Sequence, residues 1–313
     1  MIDTDQLIIE FIKDQDVEEC TKSNYRNILN IWSKWLIVHG ISFIDARKPH
    51  VIKFKNDLYS KNKSVLTINT YLSTLKKFYA YLDDSGQFSD IANGVKGFKK
   101  YSGFRKKPLS IEQIVDLIQS IKSTEETGRR DSIIIHLMLL SGLRCVEVSR
   151  LNISDFKVFQ PRKPFVWVLG KGAKEKTRVP ITQQMVEDIE YYLGDRIKEK
   201  DEPIFIVSKK PNEGDRLSSA RIGKLVKARM KAAGINDEQI TAHSLRHTHA
   251  VLMIKHGRSL YEVQASLRHT NTEMTKNYLR FLDEEERINS SWLNELEDEI
   301  LRKKEEKRLE GHF

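Results

Sequence analysis

"DSIIIHLMLLSGLRCVEVSRL", residues 131–151, is the stretch from which the fold reads most clearly. Its first half is apolar almost all the way round, which predicts a buried helix rather than a surface one. Gly142 stops that helix. Arg144 follows just past the helix end, and Glu147 lies three residues on. If the helix restarts here, the two share a side and the carboxylate can hold the guanidinium. Taken alone, the arginine would be an ordinary surface residue.

Working outward, "SIEQIVDLI" places Gln113 three residues after Ser110, a capping box that opens a helix. Downstream, "PFVWVLGKGAKEKTRVPI" (164–181) reads as two strands around a glycine and lysine turn. Helical patterns resume after Gln183. The first hundred residues read as helices without a competing strand pattern. Tyr25, Ile28, Leu29, Trp32 and Leu36 fall at helical spacing, and Pro49 opens a helix with Val51, Phe54 and Leu58 on its apolar face. The clearest amphipathic stripe runs through Ile68, Tyr71, Leu72, Leu75, Phe78, Tyr79 and Leu82. These aromatics are read as core. The expected class is mainly α with a small antiparallel β-sheet, in two domains.

The domains are expected at 1–93 and 109–285, joined by a basic linker at 94–108, with a helical tail at 286–313. "GVKGFKKYSGFRKKPLS" (94–110) carries three glycines and six basic residues, Lys96, Lys99, Lys100, Arg105, Lys106 and Lys107. The glycines suggest a linker and the charge suits a phosphate backbone. Over the whole chain the formal charge is +9. Residues 283–313 hold a net −5, which leaves +14 on the remainder. A basic body points to a polyanionic partner, and its acidic tail to docking on protein.

A membrane is a poor candidate for that polyanion. The longest apolar run, "IIIHLMLL", is too short to span a bilayer and contains His136. The N-terminus "MIDTDQLIIE" lacks the basic region and long apolar run of a signal peptide. Two distant cysteines, Cys20 and Cys145, suit a reduced intracellular protein. Nucleic acid is therefore the expected partner, and the cytoplasm, with the nucleoid, the expected place.

Three further segments carry candidate chemistry. In "GKGAKEKTR", Lys171 lies between two glycines at a hairpin tip, with Lys174 and Lys176 as rivals. In "TAHSLRHTHAVLMIKHG", His243 and Arg246 are three apart and share a helix face. His243, His247 and His249 suggest a metal site, but no carboxylate in the segment completes one. In "LRHTNTEMTKNYLRF" (267–281), His269 precedes Tyr278 by nine residues. Each segment alone is weak. Their order, in a basic protein with a helical front half, is informative.

Together they resemble the tyrosine recombinase (phage integrase) family over roughly Leu109 to Leu282. "SGLRCVEVSRL" is similar to its first box, "GKGAKEKTRVPI" to its hairpin lysine box, "HSLRHTHA" to its second box and "LRHTNTEMTKNY" to its third. The front half resembles the family's core-binding domain in pattern. Two positions depart from the usual boxes: Arg268 stands where glycine is usual, and His249 where an aromatic is usual.

The resemblance implies a site-specific recombinase of the two-domain, simple-site (Xer-like) type, with no room ahead of the front domain for an arm-site-binding domain. Minimal integrases and other mobile-element recombinases belong to the same resemblance. It implies Tyr278 as nucleophile of a 3′-phosphotyrosine intermediate and Lys171 as proton donor to the leaving 5′-oxygen. His243 assists proton removal, Arg144, Arg246 and His269 stabilise the phosphate, and Glu147 supports Arg144. Neither a metal nor another cofactor is expected. Strand exchange would pass through a Holliday junction in a tetramer on paired double-stranded sites. The apolar stripe Trp292, Leu293, Leu296, Ile300 and Leu301 would make the protomer contact. A type IB topoisomerase-like relaxase and a non-catalytic DNA-binding protein are the alternatives.

Overall fold

The computed structural model describes residues 4–99, 106–122, 124–157, 163–170, 172–199, 201–268, 275–276 and 278–282. It divides into two compact units, Met1–Ser102 and Gly103–Phe313. Among the expected residues, Lys100, Arg105, Lys171, His269 and the 286–313 tail lie outside the described residues.

The first unit is built on α1 (Thr4–Asp14), α2 (Glu19–Val38), α3 (Lys48–Ser60) and α4 (Val65–Asp84). Ser64 caps α4 by accepting a hydrogen bond from the Thr67 amide (3.1 Å). The helical stripe of α4 then buries Ile68, Leu72, Leu75, Phe78 and Leu82 against Phe11, Trp32 and Phe54. Burying a tryptophan requires a partner for its indole N–H. Trp32 Nε1 donates to the Tyr79 hydroxyl (2.9 Å), and Trp35 Nε1 to Asp57 Oδ2 (2.9 Å).

Part of the expected linker packs on this unit. Val95 is buried, and the Asn69 side chain bonds both the amide and the carbonyl of Phe98 (2.9 Å each). Gly97 permits this approach, because a Cβ there would lie 2.5 Å from Asn69 Oδ1. Lys96 and Lys99 remain exposed.

The second unit begins with α5 (Ile111–Gln119), started by the Ser110–Gln113 capping box. α6 (Glu126–Leu140) is buried on nearly all sides, as its composition predicts. Next comes the short α7 (Cys145–Ser149), then an antiparallel sheet in the order β1 (Phe156–Lys157), β2 (Phe165–Leu169), β3 (Lys176–Pro180). The register pairs Val166 with Val179 and Val168 with Thr177. β1 escapes sequence reading because two residues show no alternation.

α8 (Gln183–Leu193), α9 (Ser219–Ala232), α10 (Ala242–Lys255) and α11 (Leu260–Leu267) follow. α6 packs on α8 and α10, and α7 on α9. Residues 275–276 and 278–282 are helical again. Among the described residues, no helix is long and apolar enough to cross a membrane.

Candidate active site

Gly142 ends α6 with φ +62°, and Arg144 then sits at the start of α7. A Cβ on Gly142 would lie 2.9 Å from His249 and 3.1 Å from Leu267, so the turn needs glycine for both conformation and space. Because α7 restarts at once, Glu147 comes round to meet Arg144. Its Oε2 accepts the Arg144 amide (2.8 Å), and its Oε1 accepts Arg144 Nη1 (2.7 Å). Glu147 is fully buried.

Two further guanidiniums reach the same carboxylate. Arg268 Nη2 donates to Glu147 Oε2 (2.8 Å), and Arg246 Nη1 stands 3.8 Å from that oxygen. Burial alone would raise the Glu147 pKa. The Arg268 cation, the Arg144 amide and the Arg246 and Arg144 cations outweigh it and hold the pKa below the usual carboxylate range. One anion thus faces three cations.

Arg246 projects inward from α10 and is 1% exposed. Its terminal nitrogens donate to the Gly142 and Leu267 carbonyls, so it clamps the turn at Gly142 to the end of α11. Burial first, then the Arg144 cation, lowers its pKa to about 9, with Glu147 opposing; it stays protonated at neutral pH. Its Nε is buried with no described acceptor, as is the Nε of Arg268.

His243 lies one turn before Arg246 and is exposed. Partial loss of hydration, then the Arg246, Arg144 and Lys106 cations, hold its pKa well below the ordinary histidine value, so it is neutral at pH 7. Its ring meets that of His247 edge-on, centroids 4.5 Å apart.

The ring of Tyr278 is 2% exposed and packs with Ala250, Val251, Val263, Leu267 and Leu282. Its hydroxyl, however, pairs with His247 Nδ1 at 2.9 Å. Burial raises the phenol to about 12, and the Arg246 and Arg144 cations oppose that. The nucleophile candidate is therefore protonated and sheltered, with a histidine at its hydroxyl. That histidine is His247, not the expected His243. Its signal was the i, i+4 spacing to His243, which reads equally as a metal pair. Among the described residues no group of three metal-ligating side chains forms.

The hairpin lysines separate. Lys176 Nζ is ion-paired to the buried Asp155 carboxylate at the base of the hairpin. Lys174 is exposed. Lys107 pairs with Asp237 (3.1 Å).

The phage integrase family matches residues 107–285, and the phage integrase N-terminal SAM-like domain matches residues 5–86. The chain belongs to the phage integrase family. It is a tyrosine recombinase, an enzyme that cuts and rejoins DNA strands at specific sites. Similar members include the tyrosine recombinase XerC of Thermodesulfovibrio yellowstonii, 31% identical over 240 residues, covering 74% of this chain and 77% of that one. The tyrosine recombinase XerD of Proteus mirabilis is 26% identical over 284 residues, 88% of each chain. Among solved structures, the recombinase XerH bound to a palindromic difH substrate after cleavage shares the fold, with a TM-score of 0.73 at 22% identity. It covers 93% of this chain and 85% of its own. A lambda integrase tetramer on a Holliday junction aligns with a TM-score of 0.67 at 17% identity, covering 88% and 77%. Among the described residues, the first and second boxes meet where Arg144 and Arg246 approach Glu147, and Tyr278 packs against α10.

Proposed function

We propose that this recombinase cleaves double-stranded DNA through Tyr278, with Arg144 and Arg246 holding the scissile phosphate. The supporting observation is the excess of cation around the buried Glu147, to which Arg246 contributes from α10, the helix that also carries the histidine at the Tyr278 hydroxyl. A phosphodiester supplies the missing negative charge and accepts the donors left over.

In the proposed step, Tyr278 Oη attacks phosphorus and the bond to the 5′-oxygen breaks, leaving a 3′-phosphotyrosine. His247 Nδ1 receives the phenolic proton, and the neutral ring of His243 stands next to it as a further acceptor. Lys171 gives a proton to the departing oxygen, and His269 adds a donor to the phosphate; these two roles rest on the box resemblance. The phosphotyrosine bond conserves the energy needed for rejoining when a 5′-hydroxyl attacks it.

Lys96, Lys99, Lys100, Arg105, Lys106 and Lys107 are proposed to follow the DNA backbone. The tail at 286–313 is proposed to join protomers into a tetramer that exchanges strands through a Holliday junction. Deletion from Ser290 should abolish synapsis while leaving the monomer folded, as read by native gels and thermal denaturation. The nucleoid is its proposed place of action.

The test is covalent capture. Wild-type protein is incubated with a library of nicked duplexes carrying a randomised core, and detergent-stable adducts are recovered and sequenced. An adduct absent in Tyr278→Phe is expected, and the captured DNA names the site. No adduct from wild type, or an equal adduct from Tyr278→Phe, overturns the reading. A plasmid with two captured sites should yield recombinant circles; relaxation alone would make the enzyme a relaxase.

A further inference from the structure

The two positions that depart from the family boxes, Arg268 and His249, meet at one turn. Ser266 Oγ pairs with His249 Nε2 (2.9 Å), and the Ser266 carbonyl accepts Arg268 Nη1 (2.8 Å). His249 Nδ1 lies 3.1 Å from the Leu139 carbonyl, which can only accept, so Nδ1 carries the proton and Nε2 accepts from Ser266. His249 thereby fastens the end of α11 to the end of α6.

Arg268 itself sits at φ +53°, in the left-handed region that suits glycine and strains a side-chain-bearing residue. Its side chain nonetheless turns inward, 14% exposed, onto Glu147 Oε2. That oxygen lies only 3.8 Å from Arg246 Nη1. Opposite charges at that spacing attract, and Arg268 competes with Arg246 for that oxygen. With Arg268 absent, Glu147 Oε2 keeps the Arg144 amide but has its second lone pair open to Arg246, and a closer pairing would divert Arg246 from a phosphate.

We propose that Arg268 is a positioning residue: it holds the second oxygen of Glu147, so that Glu147 orients Arg144 and leaves Arg246 available to the scissile phosphate. This rests on the recombinase site described above. Arg268 is assigned to Glu147 because its Nη2 bonds that carboxylate, while its Nη1 is held by the Ser266 carbonyl.

Arg268→Gly is the informative variant, because glycine suits the backbone and the fold should survive. On the captured nicked duplex, its single-turnover cleavage rate should fall about tenfold, the loss of one charged hydrogen bond. Its DNA affinity should change less than about twofold, and the slope of log affinity against log salt should be unchanged. Arg268→Lys should recover part of the rate. In a Glu147→Gln background, the Arg268→Gly loss should shrink to under about twofold.

Wild-type cleavage by Arg268→Gly overturns the proposal. So does a loss seen mainly in affinity with the salt slope reduced by about one, which marks direct phosphate contact. An undiminished loss in the Glu147→Gln background also overturns it. If wild type forms no adduct, the site reading fails instead, and a test without DNA remains. In ¹⁵N-arginine spectra of the free protein, the Arg144 side-chain resonance should shift in Arg268→Gly and return towards wild type in Arg268→Lys. An unmoved resonance overturns the proposal by itself.

Discussion

Two groups of buried charge lie within the second unit, and they are built differently. In the first, Arg130 Nε and Nη2 donate to Asp131 Oδ1 (3.0 and 2.8 Å), and Nη1 to Ile206 O and Ser208 Oγ (3.0 Å each). Asp131 Oδ2 takes Arg229 (2.7 Å). Every nitrogen of Arg130 is used, and the group ties α6 to α9 and to the 204–208 segment. In the second, Glu147 faces three arginines, and the Nε atoms of Arg246 and Arg268 have no described acceptor. A charge cluster that closes on itself is structural; one with donors in excess suits an anion from outside.

Substitutions should separate the two. Arg144→Ala should lower single-turnover cleavage about 10²–10³-fold while barely moving the melting temperature, as for one lost oxyanion donor. Asp131→Asn should do the reverse. Removing the carboxylate from between Arg130 and Arg229 leaves buried charge uncompensated, at a cost of about 3–5 kcal/mol. Thermal denaturation should show a drop of about 10 °C, with cleavage per folded molecule unchanged. If Arg144→Ala acts mainly on melting, the contrast collapses.

Acid sharpens the same contrast. Burial first, then the Arg246 and Arg268 cations, brings the His249 pKa to about 4 against the Leu139 bond, and His243 is lowered similarly. A histidine whose folded pKa is depressed adds stability above its unfolded value, near 6.5, and that contribution disappears as pH falls towards about 4. Glu147 is depressed too, but its contribution persists until pH falls below the ordinary carboxylate range, near 4.5. Acid loss between about 6.5 and 4.5 therefore belongs to the histidines. The melting temperature should fall a few degrees across that window, and less steeply in His249→Phe. Equal slopes would refute the assignment.

The smallest effect is expected outside both groups. Lys107 and Asp237 form an exposed pair, so Lys107→Ala should cost under about 1 kcal/mol in denaturant titration. If Lys107 meets DNA, the salt slope of binding should fall by about one.

Much of this was legible in the chain. The α4 stripe, the Ser110–Gln113 box and the Gly142 stop follow local rules of spacing and capping, and the structure bears them out. The Arg144–Glu147 contact is also local, three residues apart. What escaped is long-range. Arg268 and His249 looked like departures from a pattern, yet they meet at Ser266 only after α6, α10 and α11 pack. His247 was visible as a spacing, but its partner at residue 278 was not. The 94–98 segment reads as linker from its glycines and lysines, whereas Asn69, far back in α4, takes up the backbone of Phe98.

The sheltered phenol has a practical consequence. Burial raises the Tyr278 phenol and encloses its ring, so in the free protein the side chain is shielded from solvent. Reagents that nitrate or alkylate surface tyrosines should therefore spare this one in the free protein.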